Sequence, residues 1–211
     1  INYYRNKTQI PVRKDDKGKV EIGFFKPHSH NVIDCVNCLL HPREFNQIVE
    51  VIKLWINKYN ISVYNECEHA GIIRHIYLRY SEYSKDILVC LVVNNENVPF
   101  TNELVKMLLD LSCGISGVIL NINPLNTNVI LAKHCKTLWG KGYIQDELCG
   151  LKFNISPLSF YQVNKVQTEK LYSLVQDIFK DSNVSNAIDL YCGIGTITLV
   201  VSSFVKNIIG I

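Results

Sequence analysis

The chain has 211 residues, of which 47% are hydrophobic and 19% charged, and its formal net charge is +3. This composition predicts a packed core and excludes a wholly disordered chain. No apolar run is long enough to span a bilayer and the first stretch has no secretory apolar region, so no membrane partner is predicted. Eight cysteines in this context indicate reduced thiols in a cytoplasmic protein.

The first stretch mixes basic and aromatic side chains and predicts two strands, over residues 3–12 and 19–25. Basic residues beside aromatic residues are typical of proteins that bind the phosphate backbone and unstacked bases of RNA. A solvated hairpin face explains the same composition equally well. The candidate RNA-binding residues are Arg5, Lys7, Arg13 and Lys14.

A helix and a strand pair follow. Pro42 is predicted to start the helix, because the apolar residues after it recur at helical spacing and share one face. These residues are Phe45, Ile48, Val49, Ile52 and Ile56. Residues 72–80 and 86–93 are rich in β-branched and aromatic side chains, which predicts two paired strands.

The next segment predicts a second helix and another strand pair. Thr101 is predicted to cap the helix. Residues 118–122 and 128–132 are predicted to pair with each other across the turn NPLNT. Strands, helices and hairpins in this order predict an α+β domain on a mostly antiparallel sheet.

The pattern then changes to that of a parallel unit. Asn164 is placed to cap a helix. That helix is predicted to bury Leu171, Leu174, Val175 and Ile178. Two apolar strands, over residues 186–191 and 206–211, flank a further helix predicted over residues 196–204. A strand, a helix and a strand in so short a segment predict a βαβ unit with two parallel strands.

The stretch NAIDLYCGIGTITL, residues 186–199, places a glycine-rich turn inside this unit. Gly193 and Gly195 allow the backbone to approach a ligand closely, and the following helix start suits a polar cofactor. Thr198 stands where a dinucleotide fingerprint requires a third glycine, which disfavours a nicotinamide-dependent oxidoreductase. Asp189 before the turn suits a ligand with positive charge, such as S-adenosylmethionine. A purely structural tight turn is the alternative.

The stretches SFYQVN and DLYCGIGT, at their mutual spacing, resemble motifs of the RNA uracil-C5 methyltransferases that use S-adenosylmethionine. YYRNKTQIPV, GIIRHIYLR and NVPFTNE extend the resemblance over essentially the whole chain. It is similar above all to the bacterial branch that methylates 23S ribosomal RNA, although transfer-RNA members share these motifs. The resemblance implies an RNA-facing central α+β domain over residues 1–150. Residues 151–211 would be the first βαβ part of a doubly wound α/β (Rossmann-like) methyltransferase domain.

The resemblance also implies that the chain is a fragment. In the family a small RNA-binding barrel precedes the central domain, and an acidic residue that binds the cofactor ribose would follow Ile211. The nucleophilic cysteine and the general base lie further downstream. No catalytic residue is therefore assigned within the chain, which is expected to be inactive alone. An incomplete parallel sheet is expected to self-associate through its exposed edge.

The resemblance assigns the site residues by their positions in the motifs. The cofactor-binding candidates are Gln162, Tyr191, Gly193, Gly195 and Thr196. Phe160 corresponds to the aromatic residue near the flipped target base, with core packing as the alternative. For Gln162 the alternative is a helix-entry residue bonded to backbone. Asn164 and Asp189 are expected to have structural roles, and Cys192 to pack in the strand–turn corner.

Cys35 and Cys38 have the spacing C-x-x-C, which holds zinc or an iron–sulfur cluster only with further ligands. The resemblance implies that Cys38 is an orphaned ligand of a four-iron cluster that only the full-length protein would hold. Two ordinary thiols are the alternative, and no metal is predicted for this chain. Arg74 and His75 are expected to face RNA or a domain interface, with a plain position on the strand surface as the alternative.

Two functions therefore remain open. The first is part of an enzyme that methylates carbon 5 of a uridine, expected in 23S ribosomal RNA. The second is a stand-alone RNA-binding α+β module with a vestigial cofactor site.

Overall fold

A computed structural model describes residues 2–35 and 37–211. Its first part is a seven-stranded sheet with the order β3-β2-β1-β4-β5-β6-β7. The strands are β1 (Lys7–Lys14), β2 (Val20–Phe25), β3 (Val32–Asp34), β4 (Ile73–Tyr80), β5 (Ile87–Val93), β6 (Ile115–Ile122) and β7 (Cys135–Gly140). All neighbours are antiparallel except β5 and β6, which are parallel. The predicted mostly antiparallel sheet is confirmed.

Two helices, α1 (Arg43–Lys58) and α2 (Thr101–Leu109), cover one face of this sheet. Alternate residues of each strand point to this face, so that Val89 and Leu91 of β5 join the helices in the main core. The helix predicted after Pro42 is confirmed, and it buries the predicted face. Trp55 belongs to the same face, and its indole N–H donates to the carbonyl oxygen of Phe100 at 2.8 Å.

Two predictions in this region are wrong. Residues 128–132 form no strand, and β6 pairs instead with β7. The side-chain amides of Asn121 and Asn123 bind the backbone of this segment, which takes the place of strand pairing. Thr101 is not a cap but the first helical residue, because Phe100 precedes it in a left-handed conformation with φ 57°.

The opposite face of the sheet carries a second, smaller core, which joins the sheet to the rest of the chain. A hairpin of β8 (Ile144–Leu148) and β9 (Leu151–Ile155) lies here. Its turn residues, Cys149 and Gly150, have φ values of 51° and 77°, as a two-residue turn with left-handed residues requires. The second core contains Tyr77, Leu88, Cys90, Ile119, Ile144, Leu148, Phe153, Ile155, Tyr161, Tyr172 and Val200.

The last part of the chain forms a helix followed by a βαβ unit. Its elements are α3 (Lys165–Asp181), β10 (Asn186–Asp189), α4 (Thr196–Val201) and β11 (Asn207–Gly210), with a 3-10 turn at Ser202–Phe204. The strands β10 and β11 are parallel, which confirms the predicted unit. Asn164 caps α3 as predicted, and its Oδ1 accepts from the backbone N–H of Gln167 at 3.1 Å.

The prediction for the buried face of α3 is wrong. Leu171, Leu174 and Ile178 are exposed, while Thr168 and Tyr172 are the buried residues of this helix. Among the described residues, α3 packs mainly against α4 and the 3-10 turn at Ser202–Phe204, which leave this face uncovered. No helix in residues 2–35 and 37–211 is both long and apolar enough to cross a membrane.

Candidate functional site

The loop over residues 159–163 presents side chains outward from a fixed position. Tyr161 is buried in the second core, whereas the neighbouring Phe160 is 72% exposed. Gln162 is exposed as well. The core-packing alternative for Phe160 is therefore not supported, and both candidate residues are accessible to ligands.

Hydrogen bonds from the start of β1 and from β4 hold the backbone of this loop. The side-chain amide of Asn6 donates to the carbonyl oxygen of Gln162 at 3.0 Å. The backbone N–H of Asn6 donates to Val163 at 2.9 Å, and Tyr80 donates to Asn6 at 2.8 Å. Arg79 Nη2 reaches the carbonyl oxygen of Ser159 at 3.3 Å. The hydrogen bond to Gln162 is accepted by its backbone carbonyl oxygen, so the loop is held through its backbone.

A buried polar cluster lies beneath the loop. Arg79 is almost fully buried, and its Nε donates to the hydroxyl of Tyr77 at 2.6 Å. Asp146 accepts from Ser81 Oγ at 2.9 Å. Burial and the nearby Asp146 carboxylate raise the pKa of Tyr161, so this phenol stays protonated.

Three atoms of this cluster have no hydrogen-bond partner among the described residues: Arg79 Nη1, Asp146 Oδ2 and the Tyr161 hydroxyl. Unpaired buried polar atoms cost free energy. Tyr161, which carries one of them, lies between the two exposed candidate residues of the loop.

The glycine turn has the backbone that its sequence predicts. Gly193 and Gly195 have φ values of 57° and 79°, a region in which larger side chains are strained. A Cβ at Gly193 would meet no atom within 4 Å, so the backbone there is open to a ligand. Gly210 is different, because a Cβ there would lie 2.9 Å from Cys192 Sγ. Cys192 thus packs against β11, in the corner where the sequence places it.

The remaining polar side chains of the turn are tied to neighbouring elements. Thr198 Oγ1 donates to Asp189 Oδ2 at 2.5 Å, which connects β10 to α4 and gives Asp189 a structural role. The hydroxyl groups of Thr196 and Tyr172 are hydrogen-bonded at 2.8 Å.

Tyr191 is 97% exposed and has φ 63°, a strained conformation for an aromatic residue. Strain of this kind concentrates at ligand sites.

The second core brings the loop and the turn to one side of the sheet. Tyr161 of the loop and Val200 behind the turn are both buried in it, and Ile194 of the turn packs against it. Gln162 and Gly193 are the immediate neighbours of Tyr161 and Ile194. The loop and the turn therefore both contribute apolar side chains to the second core.

The four candidate RNA-binding residues fall into two groups. Arg5 and Lys7 line one cavity, whereas Arg13 and Lys14 line others. Lys7 and Lys14 are the two ends of β1, about 23 Å apart at roughly 3.3 Å per residue. Burial, with the charges of Arg79 and Arg5, lowers the pKa of Lys7.

Cys35 and Cys38 are free thiols, of which Cys38 is buried and Cys35 partly buried. Burial and the neighbouring Cys38 thiol raise the pKa of Cys35. Within residues 2–35 and 37–211, no group of three or more His, Cys, Asp or Glu side chains could hold a metal ion. We derive no iron–sulfur chemistry from this part of the chain.

The chain is similar to bacterial proteins over almost all of its length. It is 41% identical over 208 residues to an uncharacterized RNA methyltransferase of Clostridium tetani, and 42% identical over 209 residues to one of Clostridium acetobutylicum. Each match covers 99% of this chain and 45% of the relative. The chain therefore spans about half the length of the curated relatives it matches. No family model matches it.

Among solved structures, the chain resembles a tRNA (uracil-54, C5)-methyltransferase of Pyrococcus abyssi in complex with S-adenosyl-L-homocysteine. The TM-score is 0.78 with 22% sequence identity, over 98% of this chain and 48% of that chain. Similarity at this level of identity shows a shared fold. The mixed sheet and the parallel unit thus occur together in a known architecture.

Proposed function

We propose that the chain is part of an S-adenosylmethionine-dependent RNA methyltransferase that acts on carbon 5 of a uridine. The relatives named RNA methyltransferases support the reaction class, and the fold shared with a uracil-C5 enzyme supports the position on the base. We further propose 23S ribosomal RNA as the substrate and the cytoplasm as the location, from the resemblance of the sequence motifs.

One observation supports this proposal most directly: an exposed aromatic loop and an open glycine turn share one apolar cluster. A cofactor that lies along the turn would find the backbone of Gly193 and Gly195 unobstructed. Gln162 lies in the loop over residues 159–163, and its side-chain amide can both donate hydrogen bonds to the cofactor and accept them from it. The exposed ring of Tyr191 offers an apolar surface. When bound, S-adenosylmethionine supplies an activated methyl group on a positively charged sulfur.

Phe160 is the residue that we propose to contact the target base. Its ring is exposed on a loop whose backbone is held by Asn6 and Arg79. A base taken out of its stack loses contact with its neighbours, and stacking on an aromatic ring replaces about 1–3 kcal/mol of that loss. A fixed loop presents the ring without further ordering, which favours binding.

No described residue is assigned as the nucleophile. Burial raises the pKa of the thiols of Cys35, Cys90, Cys113 and Cys149, which disfavours a thiolate at neutral pH. Cys192 packs against Gly210. Because the resemblance assigns neither the nucleophilic cysteine nor the general base to a residue of this chain, we expect the 211-residue polypeptide, assayed alone, to transfer no methyl group to RNA. Methylation by the purified polypeptide would contradict this assignment.

The alternative function is RNA binding without cofactor binding. It is favoured by the main core of the sheet, whose buried residues all precede α3. The two functions differ in whether the glycine turn has a ligand.

Calorimetric titration with S-adenosylhomocysteine, S-adenosylmethionine and a nicotinamide dinucleotide distinguishes them. We expect the first two compounds to bind and the dinucleotide not to bind. Gly193→Val should abolish binding because its side chain enters the open space at the turn. Gly18→Val is the matched control, because Gly18 has φ 78°, also has open space around it and lies in the turn between β1 and β2. Binding of the dinucleotide alone, or equal loss in both variants, would contradict the proposal.

A further inference from the structure

A cavity of about 200 Å³ lies near the Lys14 end of β1, and none of its residues belongs to the proposed cofactor site. The β2 strand, the β4 strand and the segment that precedes β7 meet around it. Its lining residues are Phe25, His30, Glu66, Arg74, His75 and residues 127–130. Arg74 and His75 are buried, whereas Phe25 and Val129 are exposed. The cavity therefore combines buried polar residues with exposed apolar ones.

His75 lines the cavity and is one of its two buried residues. Only 8% of its surface is exposed, and its Nδ1 has no hydrogen-bond partner among the described residues. Burial, with the charges of Arg13 and Arg74, lowers the pKa of His75 to about 3. The imidazole is therefore neutral at pH 7, with one nitrogen as donor and the other as acceptor. A buried polar ring of this kind is stabilised when a ligand completes its hydrogen bonds.

Phe25 offers a flat apolar surface at the same cavity. Its side chain is 41% exposed, and its ring centroid lies 5.8 Å from that of His30. The guanidinium of Arg13 lies 5.5 Å from the centre of the Phe25 ring. An exposed aromatic ring with a cation nearby is the usual platform on which a nucleic-acid base stacks.

The charges around the cavity are already paired, which argues against a free anion as the ligand. Arg13 forms an ion pair with Glu66, and Glu66 Oε2 also lies 3.0 Å from His30 Nδ1. Arg74 donates to the carbonyl oxygen of Leu125 at 2.8 Å. An anion would meet the Glu66 carboxylate beside cations that already have partners. A neutral, planar ligand with hydrogen-bonding edges fits these groups better.

We propose that this cavity binds an unstacked base of single-stranded RNA, separate from the target base, with its ring on Phe25 and its edge at His75. The proposal rests on the proposed function only in taking RNA as the ligand. Single-stranded RNA is recognised in this way, by stacking of splayed bases on aromatic rings and hydrogen bonds to their edges.

A second cavity, which adjoins the proposed base cavity, indicates how much charge contributes to the affinity for RNA. It shares His30 with the proposed base cavity and has a volume of about 250 Å³. Lys14 and Lys26 line it together with acidic residues, which are Asp15, Asp16 and Glu21. Because basic and acidic groups balance, we expect stacking to dominate and the affinity to depend only weakly on salt concentration.

The test compares two exposed aromatic residues of matched environment. Phe25→Ala removes the proposed platform, and Tyr143→Ala is the control. Tyr143 is 39% exposed and has a cation, Lys141 Nζ, 5.9 Å from its ring centre, but it does not line the cavity. Fluorescence anisotropy of the full 211-residue chain measures its affinity for a labelled single-stranded RNA of mixed sequence and for the same RNA with abasic positions.

We expect the unchanged chain to prefer the RNA with intact bases. Phe25→Ala should weaken binding of that RNA about tenfold and remove the preference, since one stacked base contributes on this order. Tyr143→Ala should change neither. Equal effects of the two substitutions, with RNA binding retained, would overturn the cavity proposal alone. Absence of RNA binding by the unchanged chain would overturn this inference, whereas the cofactor titration tests the proposed function separately.

A second measurement reports the position of the base directly. RNA that contains 4-thiouridine, crosslinked to the chain by light, should attach to peptides that carry Phe25 or residues 127–130. Crosslinks confined to the loop over residues 159–163 would overturn the inference while supporting the proposed target-base site.

Discussion

The helices α1 and α3 have 16 and 17 residues and both carry an apolar face, but only one of these faces is covered. In α1, Ile52 and Trp55 are completely buried against the seven-stranded sheet. In α3, Leu174 and Ile178 are 64% and 66% exposed. α1 lies on the sheet of seven strands, whereas α3 packs mainly against α4 and the 3-10 turn at Ser202–Phe204. An apolar face therefore shows what a helix needs, and the elements packed against it decide whether it is covered.

This comparison divides the chain into a closed region and an open one. The closed region is the sheet with α1 and α2, and the open region runs from α3 to β11. Full burial of a large apolar side chain contributes about 1.5–3 kcal/mol, and the open region forgoes much of this contribution. We therefore expect the open region to unfold locally at a lower free energy than the sheet.

The largest expected effect comes from the same substitution made in both helices. Ile52→Ala should lower the free energy of unfolding by about 2–5 kcal/mol, because it leaves a cavity in a packed core. Ile178→Ala should change it by less than about 0.5 kcal/mol, since Ile178 is exposed. Urea denaturation of the two variants measures the difference. Similar losses would show that α3 is covered in solution and would break the comparison.

A pH effect should arise in the closed region from His75. Its pKa is lowered to about 3, so between about pH 3 and 6.5 the unfolded chain binds a proton that the folded chain does not. The free energy of unfolding should therefore fall as the pH falls through this window, by about 2 kcal/mol from pH 6.5 to 5. Denaturation at the two pH values checks this.

The control for this effect is the variant His75→Gln, which keeps a polar side chain but does not titrate. Its loss of stability on acidification should be smaller than that of the unchanged chain. An identical loss in both proteins would assign the effect to other groups, such as His41, whose pKa burial also lowers.

A smaller effect should link the two regions through Asn6. Asn6→Ala removes the side-chain bond to the carbonyl oxygen of Gln162, which should cost about 1–2 kcal/mol and loosen the loop over residues 159–163. We expect weaker binding of S-adenosylhomocysteine, measured by calorimetry. Asn97→Ala, at an exposed position, is the control. Unchanged affinity in Asn6→Ala would show that the loop is held by other contacts.

The smallest effect concerns association rather than folding. The exposed face of α3 and the edges of the strand pair β10–β11 predict self-association at high concentration. Leu174→Lys should shift the chain towards monomer with little change in stability. Sedimentation velocity measures the shift, and a chain that is monomeric at every concentration would contradict the prediction.

Local sequence patterns predict much of the fold. The strands β4 and β5 followed from runs of β-branched residues, α1 from its apolar spacing, and the α3 cap from Asn164. The strand predicted over residues 128–132 is absent because the side-chain amides of Asn121 and Asn123 bind the backbone of this segment, and no local pattern reveals these bonds. The prediction for the buried face of α3 is wrong because other elements decide which face of a helix is covered.

The candidate site was predictable only in part, for a related reason. Gly193 and Gly195 are marked by their spacing, and Phe160 and Gln162 lie in a recognisable motif. Asn6 gives no such signal, because its partner Gln162 lies 156 positions away in sequence. Residues that hold a site through buried hydrogen bonds acquire their role from the fold, and no local sequence pattern marks them.

Hydrogen exchange followed by mass spectrometry, with and without S-adenosylhomocysteine, tests the central claim most directly. If the loop and the turn form one cofactor site, the ligand should slow exchange in residues 159–163 and 190–196 and leave β4 and β5 unchanged. Protection spread over the sheet instead, or protection by a nicotinamide dinucleotide in the same two segments, would contradict the account.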